Sequence, residues 1–159
     1  TGEIHHVFGR AYPLQVCLGS RDDVVVSADG ELQLVLRTKQ REREKVFKAG
    51  MKRILLGEIE KQLEIWTKRM AIPESRITGV TIRVMKSRWG SCRRVTGRFS
   101  FALDLVTKPK ECIEAVVVHE LCHLFAAGHG PDFYARMETY LPDYKERDRL
   151  LASLPRELV

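Results

Sequence analysis

Apolar residues recur with two different periods along this chain. Tyr12-Pro-Leu-Gln-Val-Cys-Leu18 alternates apolar with polar after its proline, and Asp22-Asp-Val-Val-Val26 follows. Glu31-Leu-Gln-Leu-Val-Leu36 comes after a Ser27-Ala-Asp-Gly30 turn. Period two predicts half-buried strands, and an Asp-Gly turn between two of them predicts a hairpin. From about Gln40 to Met70 the period lengthens. Val46, Phe47, Met51, Ile54, Leu55, Ile59, Leu63 and Trp66 recur mostly three or four apart with charge between them, which predicts one amphipathic helix. Ile72-Pro73 ends it, because the residue before a proline avoids the helical region.

Alternation returns in Val80-Thr-Ile-Arg-Val84 and in Phe99-Ser-Phe-Ala-Leu-Asp-Leu-Val106. Residues 88–97 between them read as an irregular turn, so the two segments predict a second hairpin. Pro109 suits the first turn of a helix running to about Ala126, and Gly128 breaks it. Further helices are expected from near Pro131 and near Pro142. Helices packed on one antiparallel sheet give an α+β domain.

Composition narrows the class. The 159 residues are 44% hydrophobic and 30% charged, enough for one domain with a real core over residues 1–159. No apolar run approaches the roughly 18 residues that span a bilayer, so no membrane partner is expected. Thr1-Gly-Glu-Ile-His-His6 lacks the basic and apolar regions of a secretory signal and reads as a trimmed or tag-derived start. Cys17, Cys92, Cys112 and Cys122 form no C-x-x-C pair, which argues against a four-cysteine zinc knuckle, and without a secretory signal reduced thiols in a cytoplasmic setting are the expectation. A net charge of +6 and a pI of about 9.3 permit nucleic-acid binding without requiring it. Lys86, Arg88, Arg93, Arg94 and Arg98 could contact phosphates or equally guide an acidic peptide, whereas the basic run from Lys39 to Arg53 is mixed with Glu42 and Glu44 and reads as a solvated face.

Chemistry concentrates in His119-Glu-Leu-Cys-His123. On a helix His119 and His123 lie one turn apart on one face, so both imidazoles can chelate one ion. Glu120 beside them can reach a water on that ion. A catalytic zinc needs three protein ligands and an open position. His129, after the Gly128 turn, is the best third ligand, with the more distant carboxylates Glu138 and Asp143 as alternatives. Three of the five histidines fall within these eleven residues. Tyr134, Tyr144 and Arg88 are candidates for oxyanion or substrate contacts, and Asp132 and Asp143 for orienting the imidazoles. Gly90 is expected to supply an unusual backbone angle.

His119-Glu-Leu-Cys-His-Leu124, His129-Gly-Pro-Asp-Phe-Tyr134, Leu141-Pro-Asp-Tyr-Lys145, Arg88-Trp-Gly-Ser-Cys92 and Pro109 together resemble the YgjP-like metallopeptidase family. That family is similar to the SprT and Spartan proteases. The likeness covers residues 45–153 well and the N-terminal strands loosely. It implies a small zincin-like domain: residues 1–38 as an N-terminal β-hairpin region, residues 40–153 as the core. It further implies one Zn2+ per chain on His119, His123 and His129, with Glu120 as base. Where the family often has Leu-Asn, this chain has Phe101-Ala102.

The expected function is therefore zinc-dependent hydrolysis of peptide bonds in a protein or peptide substrate, with a metal-bound water activated by Glu120. The alternative is a non-catalytic zinc-containing module that binds nucleic acid or protein. Glu120 favours the enzyme, since a binding module has no need of it. A third reading is a zinc hydrolase of non-peptide amides.

Overall fold

The structure is a computed structural model and describes residues 1–39 and 42–158. The chain opens with strands β1 (Ile4–Val7), β2 (Arg10–Leu18), β3 (Asp23–Val26) and β4 (Leu32–Leu36). They form one sheet in the order β1-β2-β4-β3. The β3–β4 hairpin is the one its Asp-Gly turn predicts, with Val24 opposite Leu34. Strand β2 joins β4 in parallel, Val16 opposite Leu34. Strand β1, which no alternation announced, forms a tight hairpin with β2. His5 and His6 are thus strand residues. The His5 ring lies 4.8 Å from Phe47, and His6 Nδ1 stands 2.7 Å from Glu157 Oε1.

Helix α1 (Arg43–Arg69) follows; its expected start at Gln40 lies outside the described residues. Met51, Leu55, Ile59, Leu63 and Trp66 form its buried stripe. Burying a large aliphatic side chain contributes about 1.5–3 kcal/mol, so this stripe decides which face turns inward. Gly50 packs against β3, where a Cβ would stand 2.4 Å from Val24 Cγ2.

A second sheet holds β5 (Gly79–Arg83), β6 (Gly90–Arg93) and β7 (Arg98–Ala102) in the order β5-β7-β6. Two expectations are corrected here. Residues 80–84 and 99–106 do not form a hairpin: β5 lies parallel to β7, Ile82 opposite Phe101. The Gly-Ser-Cys segment is not an irregular turn but the edge strand β6, antiparallel to β7. Four residues are too few to show alternation, and Gly90 and Ser91 carry no strand propensity. Both sheets therefore mix parallel and antiparallel pairing, within the α+β class expected.

A 3-10 turn (Leu103–Thr107) leads into α2 (Lys110–Cys122), then α3 (Pro131–Tyr140) and α4 (Tyr144–Ser153). Helix α2 crosses the core with Cys112, Ile113, Val117, Val118, Leu121 and Cys122 at 0% exposure. Its middle, from Cys112 to Val118, is apolar save for Glu114, as the part of a helix that crosses a core must be. Glu114 ties three helices together: its Oε2 accepts from Trp66 Nε1 at 2.9 Å and its Oε1 from Arg147 at 2.6 Å. A rigid central helix is what a metal motif needs.

Candidate metal centre

Helix α2 ends at Cys122, four residues short of the expected Ala126. His119 is in its last turn and His123 is its cap, still in helical backbone at φ −66° and ψ −15°. The chain then turns through Gly128 at φ +85°, a conformation that favours glycine. His129 comes back beneath the helix end.

The three Nε2 atoms form a nearly equilateral triangle. His119 and His123 are 3.3 Å apart, and His129 stands 3.2 Å from each. Nitrogens about 2.0–2.1 Å from one tetrahedral ion lie about 3.3 Å from one another. The donor set therefore fits zinc. Neutral imidazoles aiming three ring nitrogens at one point also have no better partner than a cation. His123 Nδ1 lies 3.1 Å from the Ala126 carbonyl, which accepts the ring N–H and leaves Nε2 free for a metal. Burial, and then the nearness of His123 and His129, pulls the His119 pKa down to about 4, so its ring is neutral at ordinary pH. Glu138 and Asp143 do not join the cluster.

Phe133 closes the underside. Its ring centroid lies 4.8 Å from His119, 4.6 Å from His123 and 4.9 Å from His129. It is fully buried at the start of α3, where Pro131 suits the first turn. Sequence reasoning singled out its neighbour Tyr134 instead. Tyr134 is 45% exposed and stacks with Tyr144, centroids 6.3 Å apart, while Tyr144 is core. Neither tyrosine lines the cavity. The spacing of His129 and Phe133, four apart, was the signal that could have found Phe133. Asp143 does not orient an imidazole; it pairs with Arg147 at 3.1 Å.

An open cavity of about 750 Å³ lies over the triangle. Arg88, Trp89, Gly90, Cys92 and Arg94 form one wall, and Val116, His119, Glu120 and His123 the other. Asp148 of α4 closes a third side, which nothing in the sequence announced. Glu120 is only 6% exposed. Burial pushes its carboxyl up to about 7, against the opposing pull of the Arg88 guanidinium. A carboxyl at that value exchanges protons readily near neutrality. The Cys92 thiol is pushed up to about 11 by burial and by Glu120, so it is a neutral wall group. Gly90 has no left-handed backbone, contrary to expectation. Its role is space: a Cβ there would stand 3.1 Å from Glu120 Cγ, Glu120 Oε2 and Val116 Cγ1.

Residues 1–154 match the family model described as YgjP-like, metallopeptidase domain. Comparison with curated proteins finds no match. Among solved structures, the metallopeptidase zymogen of Pyrococcus abyssi abylysin is similar at TM-score 0.53 and 24% identity, over 64% of this chain and 99% of that one. The metallopeptidase zymogen of Methanocaldococcus jannaschii jannalysin is similar at TM-score 0.53 and 21% identity, over 62% and 91%. At these identities the likeness is one of fold.

Proposed function

Because the chain belongs to the YgjP-like metallopeptidase domain family, we propose that it is a zinc-dependent peptidase of the His-Glu-x-x-His type, with His119, His123 and His129 as ligands and Glu120 as catalytic base. The observation that carries this reading is the 3.2–3.3 Å triangle of ring nitrogens with a buried carboxyl on the same helix end. One zinc ion, when bound, supplies Lewis acidity to the scissile carbonyl and acidifies the attacking water. Glu120 takes that water's proton and returns it to the leaving amine. Arg88, on the facing wall, is the candidate for steadying negative charge on the substrate oxygen. Phe133 and the Ala126 carbonyl hold the imidazoles in place.

The reading takes residues 1–159 as one such domain. A cytoplasmic setting, in which its four cysteines would stay reduced, belongs to the same proposal. Among the described residues no helix is long and apolar enough to cross a membrane.

Charge favours one addition, a nucleic-acid partner docking beside the cavity. Residues 76–102 hold seven cations and no carboxylate. Those seven exceed the chain's net charge of +6, so the remainder is net negative by one. The cations belong to the second sheet and its loops, with Arg93 opposite Arg98 in register. Binding of a labelled single-stranded oligonucleotide across a salt series tests this. The slope of log affinity should flatten by about 0.7 for each of Arg83, Arg93 and Arg98 changed to Ala.

Elemental analysis with a peptide-cleavage assay tests the enzyme. About one zinc per chain is expected, kept in Glu120→Gln without activity and lost in His129→Ala. Full activity in Glu120→Gln would remove Glu120 as the base, whereas a zinc-loaded wild type that cleaves no peptide would leave the non-catalytic zinc module.

A further inference from the structure

Residues 84–89 run without regular structure from β5 to β6 and are mostly exposed. Yet Arg88 and Trp89 are cavity wall, and a wall in an irregular loop must be held from outside the loop. On one side the Ala102 N–H donates to the Trp89 carbonyl at 2.9 Å. On the other side lies Arg156. Its Nη1 donates to the Met85 carbonyl at 2.7 Å and its Nη2 to the Arg88 carbonyl at 3.2 Å. Its guanidinium carbon stands 3.8 Å from the centre of the Trp89 ring.

Arg156 is itself held firmly. Asp104 and Lys108, 1% and 2% exposed, form an ion pair at 3.3 Å. Asp104 Oδ1 accepts the backbone N–H groups of Glu157 at 2.8 Å and Leu158 at 2.7 Å. Lys108 Nζ donates to the Pro155 carbonyl. Glu157 reaches Lys108 at 3.9 Å and His6 at 2.7 Å. A buried ion pair thus clamps the backbone on both sides of residue 156 and aims one guanidinium at the wall.

We propose that Arg156 is a positioning residue that sets the substrate-facing wall formed by Arg88 and Trp89. Its planar fork spans two carbonyls while its face covers the indole, which an ammonium cannot do. The consequence for turnover rests on the peptidase reading; the structural claim does not.

The test uses the whole zinc-loaded chain, with Arg156→Ala and Arg156→Lys. Trp89 is followed by acrylamide quenching in a Trp66→Phe background. Zinc content and melting temperature are recorded alongside. The expected result is acrylamide quenching of Trp89 about twofold stronger in both variants, with zinc retained. On a cleavable peptide KM rises while kcat stays within about twofold. Unchanged quenching of Trp89 in Arg156→Ala overturns the proposal. So does loss of zinc or a collapsed melting temperature in both variants, which would make Arg156 a general stabiliser. A wild-type protein that cleaves no peptide fails the peptidase reading alone, since quenching of Trp89 still decides.

Discussion

Gly90 faces Glu120 so closely that a single methyl there would stand 3.1 Å from both Cγ and Oε2 of the carboxylate side chain. Val116 Cγ1, at the same distance, blocks the other way out. Gly90→Ala must therefore move Glu120, by a few tenths of an ångström. General-base catalysis depends on placement at that scale. The variant should keep its zinc and fold while kcat falls about tenfold. Parallel kcat and zinc measurements check this, and an unchanged kcat would show that the contact is slack.

Phe133 tests the support beneath the ligands. Phe-to-Ala changes in cores cost about 3–5 kcal/mol, and this ring touches all three imidazoles. Phe133→Ala should lose about that much stability in denaturant titration. Phe133→Leu, which retains most of the volume, should fold well yet bind zinc about tenfold more weakly, by analogy with other groups that orient ligands. Competition against a chelator reads the affinity. Wild-type affinity in Phe133→Leu would reduce the ring to ordinary core.

The contrast between His129 and Phe133 shows what the sequence could disclose. Histidines four and six residues apart around a helix end are a local pattern, so the three ring nitrogens could be anticipated together. The long apolar periods of α1 and α2 were local too. Non-local relations were not legible. Nothing in Val16 or Leu34 says that β2 and β4 run parallel. Nothing in Gly90-Ser-Cys-Arg93 separates a short edge strand from a turn. Gly90 acts through a side chain it lacks, and Arg156 acts on a wall 67 residues or more before it in the chain. Tyr134 looked more chemical than Phe133, but the buried ring is the one against the ligands.

The Asp104–Lys108 ion pair is nearly sealed from water. Removing one partner of such a pair strands the other charge and costs about 3–5 kcal/mol. Lys108→Met should lose that much in denaturant titration. Asp104→Asn with Lys108→Met should recover much of it, because an amide oxygen can still accept from Glu157 and Leu158. Additive losses in the double variant would mean that the charge pairing is not the issue.

Zinc binding should itself stabilise the fold, because the triangle exists only when α2, the Gly128 turn and α3 are in place together. A ligand that binds only the folded state at about 100 times its dissociation constant contributes about 2.7 kcal/mol. For a chain of this size that raises the melting temperature by about 5–10 °C. Chelation should reverse the shift, and His129→Ala should abolish it, since two imidazoles alone form a much weaker site. Glu120→Gln should keep the full shift, because Glu120 lies beside the ligand set and not in it. Calorimetry of the three proteins with and without zinc separates these cases. A shift that survives in His129→Ala would place the ion elsewhere, and one lost in Glu120→Gln would make the carboxylate a ligand and remove the base from the mechanism.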